Sequence, residues 1–326
     1  MKILVVRFSS IGDVVLTTPV VRCLARQLDG STIHFITKEA FVPVLEGNPY
    51  IDKIITIKSS VKEKLEELKA GNYDLVIDLH RNVRTLRLKL ALGKKSVSFP
   101  KKNIQKFLLT NFKVNKMPDV HIVHRYFETV KQLGVLSDGL PCDFFLEDKD
   151  RVDLPAEISG RKFIAVAMGA QFATKQMPLE LMEKVLSETD LPIVLLGGPG
   201  DRERSENLQL RLNKQIVVDL CGKLSLRGSA YVLSQSAALL TGDTGLMHIA
   251  TAFKIPVVSV WGNTVPEFGM YPYSKPDLYS IHEVTGLSCR PCSKIGYQSC
   301  PKKHFNCMML QDAGTIRKSL IEKAEI

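Results

Sequence analysis

Short apolar runs rich in β-branched residues alternate with helix-like segments along the first half of the chain. Runs of this length and composition are typical of strands buried on both faces of a parallel sheet. The pattern predicts strands over residues 2–8, 32–37, 53–57, 74–79 and 142–146, and helices over 14–28, 39–46, 60–70, 83–92, 103–110 and 121–134. This order indicates a Rossmann-like, doubly wound first domain.

A second series of the same kind follows a charged segment, residues 147–161, that is interrupted by Pro155 and Gly160 and is typical of a linker. Strands are predicted over 162–168, 191–196, 215–219, 237–241 and 256–261, and helices over 178–189, 201–212, 225–235 and 245–253. We therefore expect an α/β fold of two Rossmann-like domains, residues 1–150 and 151–326, that face each other across a cleft. A final amphipathic helix, 312–326, either closes the second domain or packs on the first.

The positive charge of the chain is concentrated in one segment. The formal net charge is +10, and residues 81–116 contain eleven basic side chains and no acidic one. Such a run is either a solvated helix face or a surface for an anionic partner, such as a phosphorylated acceptor or a membrane. Few aromatic residues interleave it, so we do not expect a nucleic-acid partner.

The seven cysteines and the N-terminal sequence indicate a cytoplasmic protein with reduced thiols. No stretch approaches the roughly 18 apolar residues of a membrane span. Near the C-terminus a cluster of thiols with His304 leaves open either a structural zinc site or buried or redox-active thiols. The thiols of this cluster are Cys289, Cys292, Cys300 and Cys307. Asp148 and Asp150 have metal-binding spacing, but they lie in the linker and are interpreted as surface residues.

The loop that follows the first strand combines small residues with one carboxylate. Ser10 and Gly12 let a ligand approach the backbone at the carboxyl edge of the sheet. Asp13 is either a helix cap or a general base that takes the proton of an attacking hydroxyl. The glycine pattern of a dinucleotide site is absent, which argues against a dehydrogenase.

Loops at corresponding strand ends of the second half carry candidate anion-binding residues. Lys175 is either a phosphate clamp or a solvated lysine, and Asp201 either caps a helix or binds a ribose hydroxyl. The segment 243–245 begins a helix whose free N–H groups favour a phosphate. His248, one turn later, is either a core residue or part of the same site. Because these loops share one sheet edge, we expect them to converge.

Four motifs in a fixed order resemble glycosyltransferase family 9, the heptosyltransferases. They are Phe8-Ser-Ser-Ile-Gly-Asp13 with Thr17-Thr-Pro19, Lys175 with Pro178, Gly197-Gly-Pro199, and Gly242-Asp-Thr-Gly-Leu-Met-His248. The resemblance implies a GT-B fold and an inverting transfer of heptose from ADP-L-glycero-D-manno-heptose to the inner core of lipopolysaccharide. If Lys175 and the helix start at Thr244 and Gly245 stabilise the departing diphosphate, no cofactor or metal is required.

The resemblance assigns roles to individual residues. It implies that Asp13 is the base, and that the donor is bound by Lys175, Asp201, Asp243, Thr244, Gly245 and His248. We also expect Gln171, beside Lys175, to bind the donor. The acceptor is assigned to Ser10, Gly12, Arg81 and Arg84, and the anionic, membrane-embedded acceptor implies a peripheral position at the inner face of the inner membrane. Ala170 and Gln171 stand where the family usually has hydroxyl residues, and Met177 stands where an aromatic is common, so the donor sugar is less firmly implied than the fold.

Two other functions stay open from the sequence. The first is a transferase or an epimerase that uses another nucleotide sugar, which donor screening would identify. The second is a non-catalytic module that binds anions or lipid through its basic face. That module would show salt-sensitive binding to anionic surfaces and no sugar-dependent release of ADP.

Overall fold

The computed structural model describes residues 1–213 and 215–326 and divides them into two compact units. Unit 1 comprises residues 1–102 and 120–145, and unit 2 comprises residues 103–119 and 146–326. The contacts therefore place residues 103–119 and 146–150, which the sequence assigned to the first domain, with unit 2. Among the helices of the described residues, none combines the length and apolar character that crossing a membrane requires.

Unit 1 is built on a five-stranded parallel sheet in the order β3-β2-β1-β4-β5. Its strands are β1 Lys2–Val6, β2 Thr32–Lys38, β3 Lys53–Ile57, β4 Leu75–Asp78 and β5 Ser96–Ser98. Its helices are α1 Ile11–Val15, α2 Thr18–Gln27, α3 Leu65–Ala70, α4 Val83–Leu92 and α6 Ile122–Phe127. The central strands β1 and β4 are almost fully buried, as the continuous apolar runs predicted.

Several predicted helices of unit 1 are divided or replaced by tighter turns. The single helix predicted over 14–28 is two helices, because Thr17 is the N-cap of α2 and Pro19, which lacks an N–H, stands in its first turn. Residues 39–44 form a 3-10 helix that contains Pro43, and the helix predicted over 60–70 is a 3-10 turn, 61–64, followed by α3. Only the first part of the helix predicted over 121–134 forms an α-helix, which is α6. A separate 3-10 turn follows at 131–133.

The strand predicted over residues 142–146 is wrong, because side chains of α2 hold this segment instead of a neighbouring strand. The backbone N–H of Asp143 donates to Thr18 Oγ1 over 2.8 Å. The buried Arg22 guanidinium lies 2.8 Å from Asp138 Oδ2 and 2.5 Å from Asp143 Oδ2. The apolar residues alternate here because Cys142 and Phe144 are buried. The backbone of this segment does not pair with a neighbouring strand.

Unit 2 contains a six-stranded parallel sheet in the order β11-β10-β9-β6-β7-β8. Its strands are β6 Ile164–Ala167, β7 Ile193–Leu196, β8 Val217–Asp219, β9 Ala238–Thr241, β10 Val257–Trp261 and β11 Tyr279–Glu283. Its helices are α5 Asn103–Phe112, α7 Leu179–Leu186, α8 Arg202–Arg211, α9 Leu226–Ser234, α10 Gly245–Ala252, α11 Asn306–Met309 and α12 Ala313–Glu325. The two sheets confirm the predicted pair of doubly wound α/β domains.

The C-terminal helix α12 packs on its own unit. Ile316, Leu320 and Ala324 are buried in the same core cluster as the apolar residues of α7 and β9. Lys162 Nζ also donates to the carbonyl of Ala324 near the end of the helix. Of the two positions that the sequence left open for this helix, α12 occupies the one that closes unit 2.

The interpretation of Asp150 as a surface residue is wrong. Asp150 is buried, and its carboxylate binds the buried guanidinium of Arg227 on α9, with Arg227 Nε 2.7 Å from Asp150 Oδ1. The hydrogen bond from Arg227 keeps the pKa of Asp150 below its usual value. Because a buried charge needs a partner, this pair attaches the start of unit 2 to α9.

Candidate functional site

In unit 1, the loop between β1 and α1 fixes the position of the Asp13 carboxylate. Ser10 is the N-cap of α1, and Asp13 stands three residues later in the first helical turn. Asp13 Oδ2 accepts hydrogen bonds from the backbone N–H and the hydroxyl of Ser10, at 3.3 and 2.9 Å. Asp13 is therefore not the N-cap, although it shares in capping the helix, and Gly12 is buried beneath it.

A buried arginine holds the other oxygen of Asp13. Arg7 Nη2 lies 2.5 Å from Asp13 Oδ1, and the same guanidinium donates to the carbonyls of Ser9 and Leu79 and to the hydroxyl of Tyr126. Burial alone would lower the pKa of Arg7, but the charge of Asp13 raises it. The fixed cation stabilises the ionised carboxylate, and the Asp13 side chain keeps 20% of its surface exposed. Asp13 is thus ion-paired, oriented and accessible, and these features suit a general base.

His80, which the sequence did not single out, lies at the same edge of the unit 1 sheet. Its ring contacts Phe8, with centroids 5.2 Å apart. Burial lowers the pKa of His80 to about 4, and the charges of Arg7 and Lys101 act in the same direction. Lys101, whose own pKa is lowered by burial and by Arg7, donates to the carbonyl of His80. Near neutral pH, this imidazole is therefore uncharged beside two cations.

We predict that His80 makes the protein less stable in mild acid. An unfolded histidine takes up its proton near pH 6.5, whereas the folded His80 does so near pH 4. Between these values the unfolded chain binds more protons, so the free energy of unfolding falls as pH is lowered, by roughly 3 kcal/mol at most. Chemical denaturation between pH 7 and 4 measures this loss. His80→Gln should show a shallower loss than the wild type, and identical slopes would contradict the assignment.

The two arginines assigned to the acceptor begin the segment after β4, the strand that pairs with β1. The backbone N–H of Arg81 donates to the buried carboxylate of Asp78, and Arg81 Nη1 donates to the carbonyl of Phe99. The Arg84 guanidinium lies over the ring of Phe8, 5.8 Å from its centroid. Both arginines are exposed. Unit 1 therefore brings them to the sheet edge that carries Ser10, Gly12 and Asp13.

In unit 2, a lysine, an aspartate and a threonine from three loops meet at the carboxyl edge of the sheet. Lys175 Nζ lies 2.6 Å from Asp243 Oδ2, and Thr264 Oγ1 donates to the same oxygen over 2.9 Å. The side chains of Lys175 and Asp243 remain 18% and 12% exposed. This cluster, the lysine–aspartate–threonine site, confirms that the loops bearing Lys175 and Asp243 converge.

Two glycines let the turn that carries Lys175 approach the ends of β9 and β10. A Cβ on Gly242 would lie 2.5 Å from the carbonyl oxygen of Lys175, and one on Gly262 would lie 2.8 Å from that of Thr174. Neither distance is compatible with a side chain unless the backbone moves. Thr174 is buried and also exchanges hydrogen bonds with the backbone of Tyr297. The lysine is thus presented by a closely packed turn.

The helix α10 begins beside the lysine–aspartate–threonine site. Thr244 is its N-cap, and Thr244 Oγ1 is hydrogen bonded to Thr241 Oγ1 at 2.9 Å. The N–H groups of the first turn, beginning at Gly245, lack acceptors within the helix, and the helix dipole adds positive potential there. His248, one turn into α10, is buried. The start of α10 therefore suits an anion, while the burial of His248 favours a packing role.

Asp201 and Gln171 lie at the same sheet edge but outside the lysine–aspartate–threonine site. The Asp201 carboxylate accepts from the N–H of Gly198 over 2.8 Å. It also fills the space above Gly169, where a Cβ would come within 2.1 Å of Asp201 Oδ2. Gln171 is exposed, and its carbonyl accepts from the side chain of Gln298. The Asp201 side chain therefore closes its own turn, 199–201, and makes no capping hydrogen bond to the following helix α8, so the predicted helix-capping role is wrong, and the ribose role stays a prediction.

Arg290 supports the loop that carries Thr264, and neither residue was predicted. The Arg290 guanidinium donates to the carbonyls of Gly262 and Thr264 over 2.6 and 2.9 Å, and it pairs with Glu283 at 2.6 Å. The only sequence signal was that Arg290 lies in the cysteine-rich segment. A threonine and an arginine in loops carry no periodicity that would have revealed them.

The cysteine-rich segment contains free thiols. Cys289 Sγ lies 4.0 Å from His304 Nε2, and burial raises the pKa of Cys307 to about 12. All seven cysteines are unbridged. Within residues 1–213 and 215–326, no group of three or more Cys, His, Asp or Glu side chains is arranged to hold a metal ion. Of the alternatives that the sequence left open, these residues favour buried and half-buried thiols.

Comparison with known proteins relates most of the chain to one family. The model of glycosyltransferase family 9 (heptosyltransferase) matches residues 62–299. Lipopolysaccharide heptosyltransferase 1 of Pseudomonas aeruginosa is 27% identical over 316 residues, covering 90% of this chain and 86% of that protein. The protein of the same name from Escherichia coli K12 is 26% identical over 293 residues, covering 82% and 89%.

Solved structures share the fold. A family 9 glycosyl transferase from Veillonella parvula has a TM-score of 0.80 at 22% identity and covers 99% of this chain and 97% of its own. The ADP-heptose lipopolysaccharide heptosyltransferase II of E. coli has a TM-score of 0.74 at 20% identity and covers 100% and 99%. These similarities confirm the predicted GT-B class.

Proposed function

Because the chain belongs to glycosyltransferase family 9, the heptosyltransferases, we propose that it transfers heptose from an ADP-activated donor to the inner core of lipopolysaccharide. The observation that carries the proposal is the lysine–aspartate–threonine site at the start of α10, where the Lys175 ammonium and the N–H groups of the first helical turn are donors suited to a diphosphate. Relatives named lipopolysaccharide heptosyltransferase 1 support the classes of donor and acceptor.

Unit 2 supplies the donor side of the reaction. As the bond between the sugar and the diphosphate breaks, negative charge develops on the departing ADP. Lys175 and the N–H groups at Gly245 would stabilise that charge, because both are fixed before the reaction. Asp243 and Thr264 orient Lys175 through the contacts at 2.6 and 2.9 Å. Asp201 is assigned to the nucleoside and Gln171 to the donor, both as parts of this proposal.

Unit 1 supplies the acceptor side. Asp13 would take the proton of the acceptor hydroxyl as its oxygen bonds to the anomeric carbon and ADP leaves. A single displacement of this kind inverts the configuration of that carbon, as in inverting glycosidases. Arg81 and Arg84 are exposed cations for the phosphates of the acceptor, and Ser10 offers a hydroxyl beside the base.

We propose that the reaction needs no metal or other cofactor, because Lys175 and the start of α10 would stabilise the charge of the leaving group. We also propose that the protein works in the cytoplasm, as a peripheral protein at the inner face of the inner membrane. There it would meet a lipid-anchored, anionic acceptor. The basic residues 81–116 support this location through their charge.

The proposal is tested by incubating the protein with single nucleotide sugars and a deacylated core acceptor, in excess chelator, and measuring the nucleotide released. We expect acceptor-dependent release of ADP from ADP-heptose and a product whose mass has increased by one heptose. Turnover of a UDP-sugar instead would show another donor specificity, and conversion of the sugar without acceptor would indicate an epimerase. Loss of turnover in chelator would contradict the metal-independent scheme.

A further inference from the structure

Helix α5 and the residues just after it expose large apolar side chains that the fold of unit 2 does not use. The helix is attached through Leu109, which packs with Val265 and Phe268. Outside that contact, Ile104 and Phe112 are 73% and 62% exposed. We call the exposed set the α5 surface, which comprises the apolar residues Ile104, Phe107, Phe112 and Val114 and the basic residues Lys113, Lys116 and Lys294. Exposed apolar residues in one continuous patch are typical of an interaction site.

The aromatic residues of the α5 surface form a small ordered cluster. The rings of Phe107 and Phe112 meet edge to face with centroids 5.8 Å apart. Lys294 Nζ lies 5.8 Å from the centroid of Phe107, which brings the exposed Ile295 to the same region. Lys113 Nζ donates to the carbonyl of Pro291 over 2.7 Å and joins the segment after α5 to this loop. The patch is therefore held in one place by contacts within unit 2.

The charged side chains that belong to the α5 surface are lysines, although two exposed carboxylates, Asp119 and Glu267, stand next to it in sequence, after Pro118 and before Phe268. Residues 103–118 contain three lysines and residues 294–304 contain three more, and neither segment contains an acidic residue. Lysines around exposed aromatic and aliphatic side chains match the boundary between anionic headgroups and acyl chains, where both kinds of group are stabilised. A protein partner would need a strongly acidic surface with an apolar centre, whereas an anionic bilayer supplies both features everywhere.

We infer that the α5 surface docks unit 2 onto an anionic phospholipid bilayer, with α5 lying in the interfacial plane. The segment that follows Lys294 leads to the donor residues. The N–H of Thr174, the neighbour of Lys175, donates to the carbonyl of Tyr297, and the N–H of Tyr297 donates to Thr174 Oγ1. Docking would then hold the edge of the unit 2 sheet close to a membrane-embedded acceptor. That consequence for catalysis rests on the proposed function, whereas the docking itself rests on the α5 surface alone.

The inference is tested by co-sedimenting the full chain with vesicles of phosphatidylcholine alone or mixed with phosphatidylglycerol. We expect binding to the anionic vesicles that weakens as salt is raised. Ile104→Ser combined with Phe112→Ser should reduce vesicle affinity about tenfold or more, because two large apolar side chains lose their lipid contact. Leu210→Ser, at a side chain of α8 that is 76% exposed, is the matched control and should bind as the wild type.

Charge is tested separately with Lys116→Glu combined with Lys294→Glu. This double variant should bind anionic vesicles at least about tenfold more weakly, and Lys318→Glu on the exposed side of α12 should not. Thermal unfolding of every variant confirms that the fold is intact. Equal sedimentation of the wild type with both vesicle types, or unchanged binding by the Ile104/Phe112 double variant, would overturn the inference.

Activity separates this inference from the proposed function. The Ile104/Phe112 double variant should keep its turnover on a water-soluble, deacylated acceptor and lose turnover on a vesicle-embedded one. If a folded double variant loses turnover on the soluble acceptor, the patch belongs to the reaction site and the docking inference is wrong. If the wild type is an oligomer that does not bind vesicles, and the double variant is a monomer, then a second copy of the chain covers the patch and the docking inference is wrong. Vesicle binding without any turnover of nucleotide sugar would refute the proposed function alone.

Discussion

Replacing Asp13 with Asn is expected to lower turnover about 100- to 10,000-fold, the usual contribution of a general base. An amide cannot accept the proton of the acceptor hydroxyl, although its oxygen can still accept the hydrogen bonds of Ser10. Binding of the donor should be unchanged, because its proposed ligands belong to unit 2. Steady-state turnover and calorimetric titration with the donor measure these two properties independently.

Stability must be followed in the same variant, because the substitution also removes the anion beside a buried cation. Arg7 would lose its 2.5 Å contact with Asp13, at a cost of about 3 kcal/mol in the free energy of unfolding. Assays are therefore run well below the unfolding temperature of the variant. Asp29→Asn, at an exposed carboxylate of unit 1, is the control and should leave turnover and stability unchanged. A folded Asp13→Asn protein with turnover within a few fold of the wild type would refute the base assignment.

Replacing Lys175 with Ala is expected to lower kcat/KM for the nucleotide sugar about 100- to 1,000-fold. The ammonium is held 2.6 Å from Asp243, and its loss removes a fixed positive charge from the position proposed for the diphosphate. It also leaves the Asp243 carboxylate uncompensated at that position, where it would repel phosphate. Both effects should weaken ADP binding as well as slow the transfer.

The control for Lys175→Ala is Lys184→Ala on the exposed side of α7, which should behave as the wild type. A second variant, Asp243→Asn, keeps the lysine but weakens its anchor, so it should retain more ADP affinity than Lys175→Ala. Calorimetric titration with ADP and initial rates at varied donor concentration measure both predictions. Wild-type ADP affinity and wild-type rates in Lys175→Ala would exclude the phosphate role.

Strands buried on both faces were predictable, as were the edge strands β3 and β8, whereas the edge strands β5 and β11 were not. The central strands β1, β4, β6 and β7 are short apolar runs, and burial on both faces requires such runs whatever their neighbours are. By contrast, β5 has three residues and β11 is half-exposed and mixed in polarity, so neither carries a periodic signal. Residues 142–146 carry such a signal without forming a strand, because Thr18 takes the hydrogen bond of Asp143.

The principal residues of the candidate site were predictable from the sequence, but the residues that they contact were not. Asp13, Lys175 and Asp243 follow predicted strands, and the carboxyl ends of parallel strands share one edge of a sheet. Their partners were not predictable, because contacts such as Arg7 with Tyr126 and Asp243 with Thr264 join residues 119 and 21 positions apart. His80 gives no local sign that burial has lowered its pKa.

The amino-acid order therefore specifies two α/β domains and the chemical character of their loops, because alternation and burial are properties of neighbouring residues. The three-dimensional arrangement specifies which charges meet. It joins Arg7 to Tyr126 and Arg227 to Asp150, it directs Lys175 to Asp243, and it leaves the apolar residues of α5 uncovered. Distance and desolvation govern these pairings, and both depend on segments far apart in the chain that the fold brings together.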